Sequence, residues 1–310
     1  MAKKEHKTSI GGSAVMEGVM MRGPEKMAVA VRKPDGEIEV DIKEMKAPNK
    51  RFFLWRLPII RGCIGFFESM VTSTKALMYS AEFMDIEEEE PSKFDKWMEK
   101  VFGDKLKDAV IYFAVIFSVL LSVGLFILLP TWLGSLVQIW VKNSIVLSAS
   151  EGIIRILIFL GYLSAVSFMP DIRRVFQYHG AEHKTIACYE AGEELTVENA
   201  RTKCRLHPRC GTSFLLIVMV ISIITFSFLS WSNIWMRTLT RLALLPVVAG
   251  VSYEIIKFAG RHDNWFTALL SWPGKMLQKI TTKEPDDSQL EVAIASMQAV
   301  IPENRDEAEW

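Results

Sequence analysis

The sequence predicts an α-helical integral membrane protein with about four transmembrane helices and a small cytosolic α+β domain at its N-terminus. Half of the 310 residues are hydrophobic although 23% are charged, and the apolar residues are concentrated in a few long runs. The N-terminal region instead alternates apolar and polar residues around a turn, as a β-hairpin does. Lysine and arginine are distributed unevenly between the connections, which predicts an orientation in the membrane.

Residues 1–107 are expected to form the cytosolic N-terminal domain. Within a β unit at 8–46, the stretch "MAVAVRKPDGEIEVDI" alternates on both sides of Pro34-Asp35-Gly36, which predicts a hairpin. The preceding "IGGSAVMEGVMMRGP" is interpreted as a glycine-bearing strand and turn. The alternative is a docking or phosphate-cradling loop, but no helix with a leading lysine follows it.

The rest of this domain is predicted to be helical. Residues 52–83 fit an amphipathic helix, which would lie on the inner leaflet or pack on the hairpin. The acidic run "DIEEEEP" at 85–91 fits a solvated linker, because adjacent like charges resist packing.

The membrane-spanning part follows. Residues 109–129 contain no charged side chain, and a helix of this length covers about 30 Å, the thickness of the hydrocarbon core. Three weaker apolar runs come after it. The predicted transmembrane helices are 108–130, 152–170, 212–231 and 237–259.

The basic residues predict that both termini face the cytoplasm of a bacterial cell membrane. The segment 170–212 carries seven lysines and arginines, whereas the connections 130–152 and 232–241 carry three between them. Cytosolic placement of the loop 171–211 and of both ends satisfies this bias. In the C-terminal tail, 260–310, "SQLEVAIASMQAVI" fits one amphipathic helix that docks on the cytosolic domain.

Composition excludes several classes of function. The formal net charge is zero, so nucleic acid is not an expected partner. The first residues lack an apolar core, which argues against a cleavable secretory signal. Four scattered cysteines do not make a disulfide framework, and metal binding or simple burial explains them better.

The strongest chemical motif is "YHGAEHKTIACYE". On a helix, His179 and His183 share one face with Glu182 beside them. This H-x-x-E-H arrangement is the one in which both histidines bind zinc and the glutamate acts as catalytic base for the bound water. The alternative is a helix whose histidines hydrogen-bond carbonyl groups or cap its end.

Two further features favour a metal. "CRLHPRCGTSF" places Cys204, His207 and Cys210 at three-residue spacing, and thiolate and imidazole are preferred zinc ligands. Glu254 lies inside the fourth apolar run and needs a partner there. The predicted topology brings all these residues to one membrane face.

Two zinc sites are compatible with these residues. The first is catalytic, with His179, His183 and Glu254 as ligands, Glu182 as base and water in the fourth position. The second is a closed structural site formed from Cys204, His207, Cys210 and one upstream histidine, which would only fasten the loop.

The chain resembles the YqhQ family of bacterial multi-pass membrane proteins. The resemblance covers nearly the whole sequence and rests on these motifs together with "GGSAVMEGVMMRGP" and "YEIIKFAGRHDN". It implies a bacterial cytoplasmic membrane setting, and the family's description as predicted metal-dependent enzymes implies a metal at the histidine and cysteine motifs. It implies no substrate.

Two functions are therefore expected. One is a membrane-embedded zinc hydrolase, peptidase-like, with its site at the cytosolic face. The other is a non-enzymatic factor that assists insertion or assembly of membrane proteins, with a structural metal, and with the lipid bilayer and other membrane proteins or the insertion machinery as partners. A transporter is less well supported, because no inverted repeat or matched broken helices are found.

Overall fold

The computed structural model describes residues 7–45, 57–84, 106–228, 234–262, 264–303 and 308. The chain divides into two compact units, of which the larger joins Met1–Met84 to Tyr162–Trp310 and the smaller is Asp85–Gly161. The predicted linker at 85–91 and the first part of the predicted helix at 52–83 lie outside the described residues.

A four-stranded antiparallel sheet opens the larger unit, with its strands in sequence order. The strands are β1 Gly11–Val15, β2 Gly18–Arg22, β3 Lys26–Arg32 and β4 Ile38–Glu44. The predicted hairpin is the β3–β4 pair, closed by a turn in which Gly36 has a φ of 89°, a conformation that favours glycine. The glycine- and methionine-rich stretch forms β1 and β2, as its interpretation as a strand and turn requires.

Ten α-helices lie in the described residues. They are α1 Ile60–Ala81, α2 Leu106–Val123, α3 Leu129–Val137, α4 Ser144–Val166, α5 Pro170–Glu190, α6 Val197–Arg201, α7 Gly211–Ser227, α8 Ile234–Arg261, α9 Trp265–Thr281 and α10 Asp287–Val300. A π-helical segment, Gly124–Leu128, joins α2 to α3.

The core of the larger unit lies on the two faces of the sheet. On one face, β2 and β3 pack against α5 and α10, whose Tyr178, Leu290 and Met297 are fully buried. On the other face, Val15, Met20, Val29 and Val31 pack against Ala76 of α1. The core therefore combines the N-terminus, the middle and the C-terminal tail of the chain.

The predicted tail helix is α10, and it begins with a capping box. The carboxylate of Asp286 accepts from the Gln289 backbone N–H at 2.9 Å, and the Gln289 side chain accepts from the Asp286 N–H at 3.0 Å. These bonds satisfy donors at the helix start. The tail also holds a helix that the sequence did not predict, α9, which contains Pro273.

Three helical segments are long and apolar enough to cross a membrane: Ile116–Val137, Ile145–Val166 and Leu242–Arg261. They indicate a membrane protein. The first lies further along the chain than the predicted 108–130, because Pro130 falls at the start of α3, where proline is tolerated. The third predicted span, 212–231, corresponds to α7, which is apolar but has 17 residues.

The second candidate span begins earlier than the predicted 152–170 because it accommodates a charged pair. Glu151 is 5% exposed and accepts hydrogen bonds from Thr131 at 3.3 Å and from Arg155 at 3.4 Å. A carboxylate with such partners is less costly in an apolar surrounding than an isolated charge. Pro170 starts α5 and so separates it from this span.

Candidate metal centre

Helix α5 carries the histidine motif and is buried along its second half. Met169 has extended backbone, and Pro170 occupies the first turn, where its missing N–H would have no helical partner. Most residues from Tyr178 to Tyr189 are buried. A buried helix with this many polar side chains requires specific partners for each of them.

Two backbone carbonyl groups orient the histidines. Nδ1 of His179 lies 2.9 Å from the carbonyl oxygen of Thr281, and Nδ1 of His183 lies 2.6 Å from that of Arg205. A carbonyl oxygen can only accept, so each Nδ1 carries a proton and donates it. In the neutral imidazole the Nε2 atom then offers its lone pair, which is the arrangement found in metal-binding histidines.

Close packing holds these carbonyl groups in place. The chain that leaves α9 crosses α5 at Gly180, where a Cβ atom would collide with the carbonyl of Lys283. The Lys283 N–H donates to the carbonyl of Phe176 at 2.8 Å. Glycine at this crossing therefore brings the end of α9, and with it Thr281, against His179.

The two Nε2 atoms meet the thiol of Cys210. His179 Nε2 lies 3.2 Å from Cys210 Sγ, and the two histidine rings are 4.4 Å apart between centroids. The ligand atoms of His179, His183 and Cys210 all lie within 4.8 Å of one another. This cluster could hold a metal ion.

The burial and hydrogen bonding of His183 show whether a metal would fit the cluster. The residue is 1% exposed, and its Nε2 atom is buried with no hydrogen-bond partner. Leaving a buried acceptor unsatisfied costs about 1–3 kcal/mol. A metal ion held with Cys210 and His179 would satisfy this atom, and zinc prefers imidazole and thiolate ligands.

Cys210 lies in a position that favours the thiolate. It is the N-cap of α7 and accepts from the Thr212 backbone N–H at 3.4 Å, so the helix dipole stabilises its negative charge. Burial alone would raise the pKa of this thiol, but the nearby His183 and His179 outweigh burial and hold the pKa well below its usual range.

The same charges act on His179. Burial alone would lower the pKa of its imidazole, but the Cys210 thiolate and the Glu182 carboxylate outweigh burial and raise the pKa to about 9. Without a metal, both shifts favour an imidazolium–thiolate pair of His179 and Cys210. A metal ion would take the place of the shared proton.

Glu182 lies beside the cluster and is 4% exposed. One backbone donor, the N–H of Gly12 in β1, reaches its carboxylate, while Oε2 is buried without a hydrogen-bond partner. Burial raises the pKa of this carboxyl above its usual range, although His179 and His183 oppose the shift. Among the described residues Glu182 is not a member of the ligand group.

Gly12 permits this contact. A Cβ atom at this position would lie 2.6 Å from the carbonyl oxygen of Met20 and 2.9 Å from Cδ of Glu182. Both distances are shorter than normal carbon contacts. The β1 strand can therefore approach the Glu182 carboxylate only because residue 12 has no side chain.

A cavity of about 340 Å³ gives access to the cluster. Glu182, His183 and Cys210 line it together with Gly12 of β1, and Arg22 and Arg209 add positive charge to its wall. Glu182 and two of the three ligand residues, His183 and Cys210, thus line one space with room for water and a small group.

Three of the residues predicted as metal ligands, Cys204, His207 and Glu254, are not members of this cluster. Cys204 is exposed, and Nε2 of His207 contacts the Glu190 carboxylate at 3.2 Å. Glu254 has the partner that its place in an apolar run requires, but this partner is Arg61, whose Nε donates to it at 2.7 Å. The described cluster therefore takes its histidines from the predicted catalytic site and its cysteine from the predicted structural site.

Sequence reasoning missed the residues that support the site. Gln278 is fully buried, accepts from the His207 N–H at 2.8 Å and donates to the His207 carbonyl at 2.7 Å and to Ser213 at 3.0 Å. It thereby holds the loop that presents Cys210. No pattern in the sequence identifies a residue such as Gln278. The Gly-Gly pair at the start of β1, in contrast, is a sequence signal for close approach of the backbone to another group.

The described residues include three helices able to span a membrane and a His/His/Cys cluster that could hold a metal ion. These two features define the class, a helical membrane protein with a candidate metal site. The chain belongs to the family described as "Protein of unknown function (DUF1385)", which matches residues 57–303. It is also 35% identical over 302 residues to "Uncharacterized protein YqhQ" of Bacillus subtilis (strain 168), covering 97% of this chain and 95% of that protein. The resemblance to the YqhQ family is thus confirmed. No solved structure matches the chain.

Proposed function

We propose that this protein is a zinc-dependent hydrolase of the bacterial cytoplasmic membrane, with its active site at the cytosolic face. One observation carries the proposal. His183 Nε2 and Glu182 Oε2 are both buried without a hydrogen-bond partner, and both residues line the same cavity. Three protein ligands with an open fourth position and an adjacent carboxylate characterise catalytic rather than structural zinc sites.

Each residue has a role in this proposal. His179, His183 and Cys210 would hold the ion, which when bound would activate water and polarise a carbonyl group. Glu182 takes a proton from the attacking water and passes it to the leaving group. In hydrolysis of a peptide bond, the water oxygen bonds to the carbonyl carbon, the C–N bond breaks, and the amine leaves with the transferred proton.

The metal is tested first by elemental analysis of the purified protein. We expect zinc in the wild type, little zinc in His183→Ala and Cys210→Ala, and unchanged zinc in Cys204→Ala and Glu254→Ala. Cys204 is the matched control, since it is a cysteine of the same loop that is exposed and outside the cluster. Zinc that depends on Cys204 or Glu254 would contradict this ligand set.

The open position can be tested without a known substrate. Cobalt(II) replaces zinc at such sites and reports its coordination in the visible spectrum, and a small hydroxamate binds only where a position is open. We expect acetohydroxamate to change the spectrum of the cobalt protein, and Glu182→Gln to keep the metal. The same variant expressed in cells should accumulate an uncleaved membrane substrate, detectable by comparing membrane proteomes with the wild type.

The second candidate function is a non-enzymatic factor that assists insertion or assembly of membrane proteins. The observation that favours it is the outer surface of α1, where Phe67, Met70, Val71 and Met78 are more than half exposed. Methionine-rich apolar surfaces adapt to varied partners. Two results together would overturn the hydrolase and favour this function. The first is a bound metal whose spectrum does not change with hydroxamate, and the second is a Glu182→Gln variant whose membrane proteome equals that of the wild type.

A further inference from the structure

A second cavity, of about 590 Å³, lies where α8 ends and α9 begins. Gly260 and His262 line it at the end of α8, and residues at the end of α5 and in the loop 207–209 line it as well. The cavity is distinct from the metal cavity, although His207 and Arg209 line both.

Among the described residues that line this cavity, positively charged side chains outnumber carboxylates. Lys7, Arg209 and Lys275 line it, and the carboxylate among its lining residues is Glu190. That carboxylate pairs with Arg209, which offsets one of the three positive charges, and it accepts from the Thr8 N–H at 2.7 Å. Lys7 donates to the carbonyl of Gly260 at 3.3 Å, which directs its ammonium group to the end of α8. An anion would find complementary charge here.

The cavity also lies at the expected level of the lipid headgroups. The candidate span Leu242–Arg261 ends at its wall, and the end of a spanning helix lies at the boundary between hydrocarbon and headgroups. Directly afterwards, α9 exposes four large apolar side chains on its outer surface, Trp265, Phe266, Leu269 and Trp272. Tryptophan in particular is enriched at this interface.

We propose that this cavity binds the phosphate headgroup of an anionic phospholipid, whose acyl chains lie along the exposed apolar side chains of α9. Lys275 would contact the phosphate, and Trp265, which lines the cavity and is 78% exposed, would cover the glycerol region. A free phosphate has the same charge but no acyl chains that could contact the exposed apolar side chains of α9. The proposal does not depend on the metal or on hydrolysis.

The test compares two lysines of the same helix. Lys275 lines the cavity, whereas Lys279 is exposed one turn further on and does not line it. Wild-type protein, Lys275→Gln and Lys279→Gln are purified in phosphatidylcholine nanodiscs, and binding of added phosphatidylglycerol is followed by native mass spectrometry. We expect Lys275→Gln to weaken binding about tenfold, the effect of losing roughly 1.4 kcal/mol, and Lys279→Gln to stay within about twofold.

Three results would overturn the proposal. Equal losses in the two lysine variants would mean diffuse surface attraction, and equal retention of phosphatidylcholine would mean that the phosphate charge is not recognised. Displacement of the lipid by an equal concentration of glycerol phosphate would identify a soluble anion as the ligand.

A second variant guards against misfolding of Lys275→Gln. Trp265→Gln changes an exposed side chain and should weaken phosphatidylglycerol binding while thermal unfolding stays unchanged. Unchanged lipid binding in Trp265→Gln and Lys275→Gln alike would also overturn the proposal. Zinc content serves as an independent readout, since neither residue belongs to the metal cluster or lines its cavity.

Discussion

At the scale of single residues, the candidate site depends on positions with no reactive group of their own. The carbonyl groups of Thr281 and Arg205 fix the tautomers of the two histidines, and the Gly12 N–H fixes one side of the Glu182 carboxylate. Such supporting contacts decide whether ligands are preorganised.

Gly12→Ala should disturb both the fold and the site. Its methyl group would meet the Met20 carbonyl and the Glu182 carboxyl carbon, and overpacking of this kind costs about 1–3 kcal/mol. We expect a lower midpoint of thermal unfolding and weaker hydroxamate binding to the cobalt protein. The matched control is Gly11→Ala, because a Cβ atom at Gly11 meets nothing within 4 Å. Equal effects of the two substitutions would contradict the role given to Gly12.

The sequence could identify part of this site. His179, Glu182 and His183 are recognisable because helix geometry converts their spacing into one shared face. The choice of Cys210 over Cys204 could not be made, since both come from a loop without periodicity, and only the start of α7 distinguishes them. The sequence predicts that Glu254 has a partner. It could not show that this partner is an arginine of α1 rather than a metal ion, because either one is contributed by residues far away in the sequence.

At the scale of elements, the strands and helices whose apolar residues recur with a clear period could be predicted from the sequence. The β3–β4 hairpin and α10 follow directly from alternation and from helical spacing. Helix α9 was missed because Trp-Pro-Gly at 272–274 resembles a turn. In the structure Gly274 permits close contact with Ser213 of α7, so packing compensates for two residues that disfavour a helix.

The end of α5 makes the stability of the larger unit dependent on pH. Burial alone would raise the pKa of Glu190, but His207 and Arg209 outweigh burial and lower it. A carboxyl whose pKa is lower in the folded than in the unfolded protein stabilises the fold at any pH above the pKa of the unfolded chain, about 4.3. This contribution is lost as the pH falls through the pKa of the folded protein.

His207 extends the pH range over which stability is lost to higher pH. Burial lowers the pKa of its imidazole despite the Glu190 contact, so acidification below about 6.5 protonates the unfolded chain first and favours unfolding. We expect the free energy of unfolding in detergent to fall from about pH 6.5 downwards, and Glu190→Gln to flatten the acid part of the curve. Glu193→Gln, which changes a carboxylate paired with Lys203 at the surface, serves as control and should leave the curve unchanged.

At the scale of the whole molecule, packing restricts the path of the chain through a membrane. Helices α5 and α10 share one core with the N-terminal sheet, so both must lie on the same side. The chain between them contains the candidate span Leu242–Arg261 and the shorter apolar helix α7. A single crossing would separate α5 from α10. We therefore expect α7 to cross as well, although its 17 residues cover only about 26 Å.

The same parity applies to the earlier part of the chain. The sheet and α5 lie in one unit, and two candidate spans, Ile116–Val137 and Ile145–Val166, separate them in sequence. We therefore expect four crossings, which would return every part of the common core to one side, and the distribution of lysine and arginine favours the cytoplasm for that side.

Cysteine labelling in whole cells tests this arrangement. Cys204 is exposed, whereas Cys188 and Cys210 are buried, and Phe228 at the end of α7 is 80% exposed. In a background with Cys63→Ala, we expect a membrane-impermeant maleimide to label Cys204 only after permeabilisation. With Cys204→Ala and Phe228→Cys added, it should label intact cells. Labelling of position 228 only after permeabilisation would mean that α7 does not cross, and the shared core of α5 and α10 would then require α8 to turn back within the bilayer.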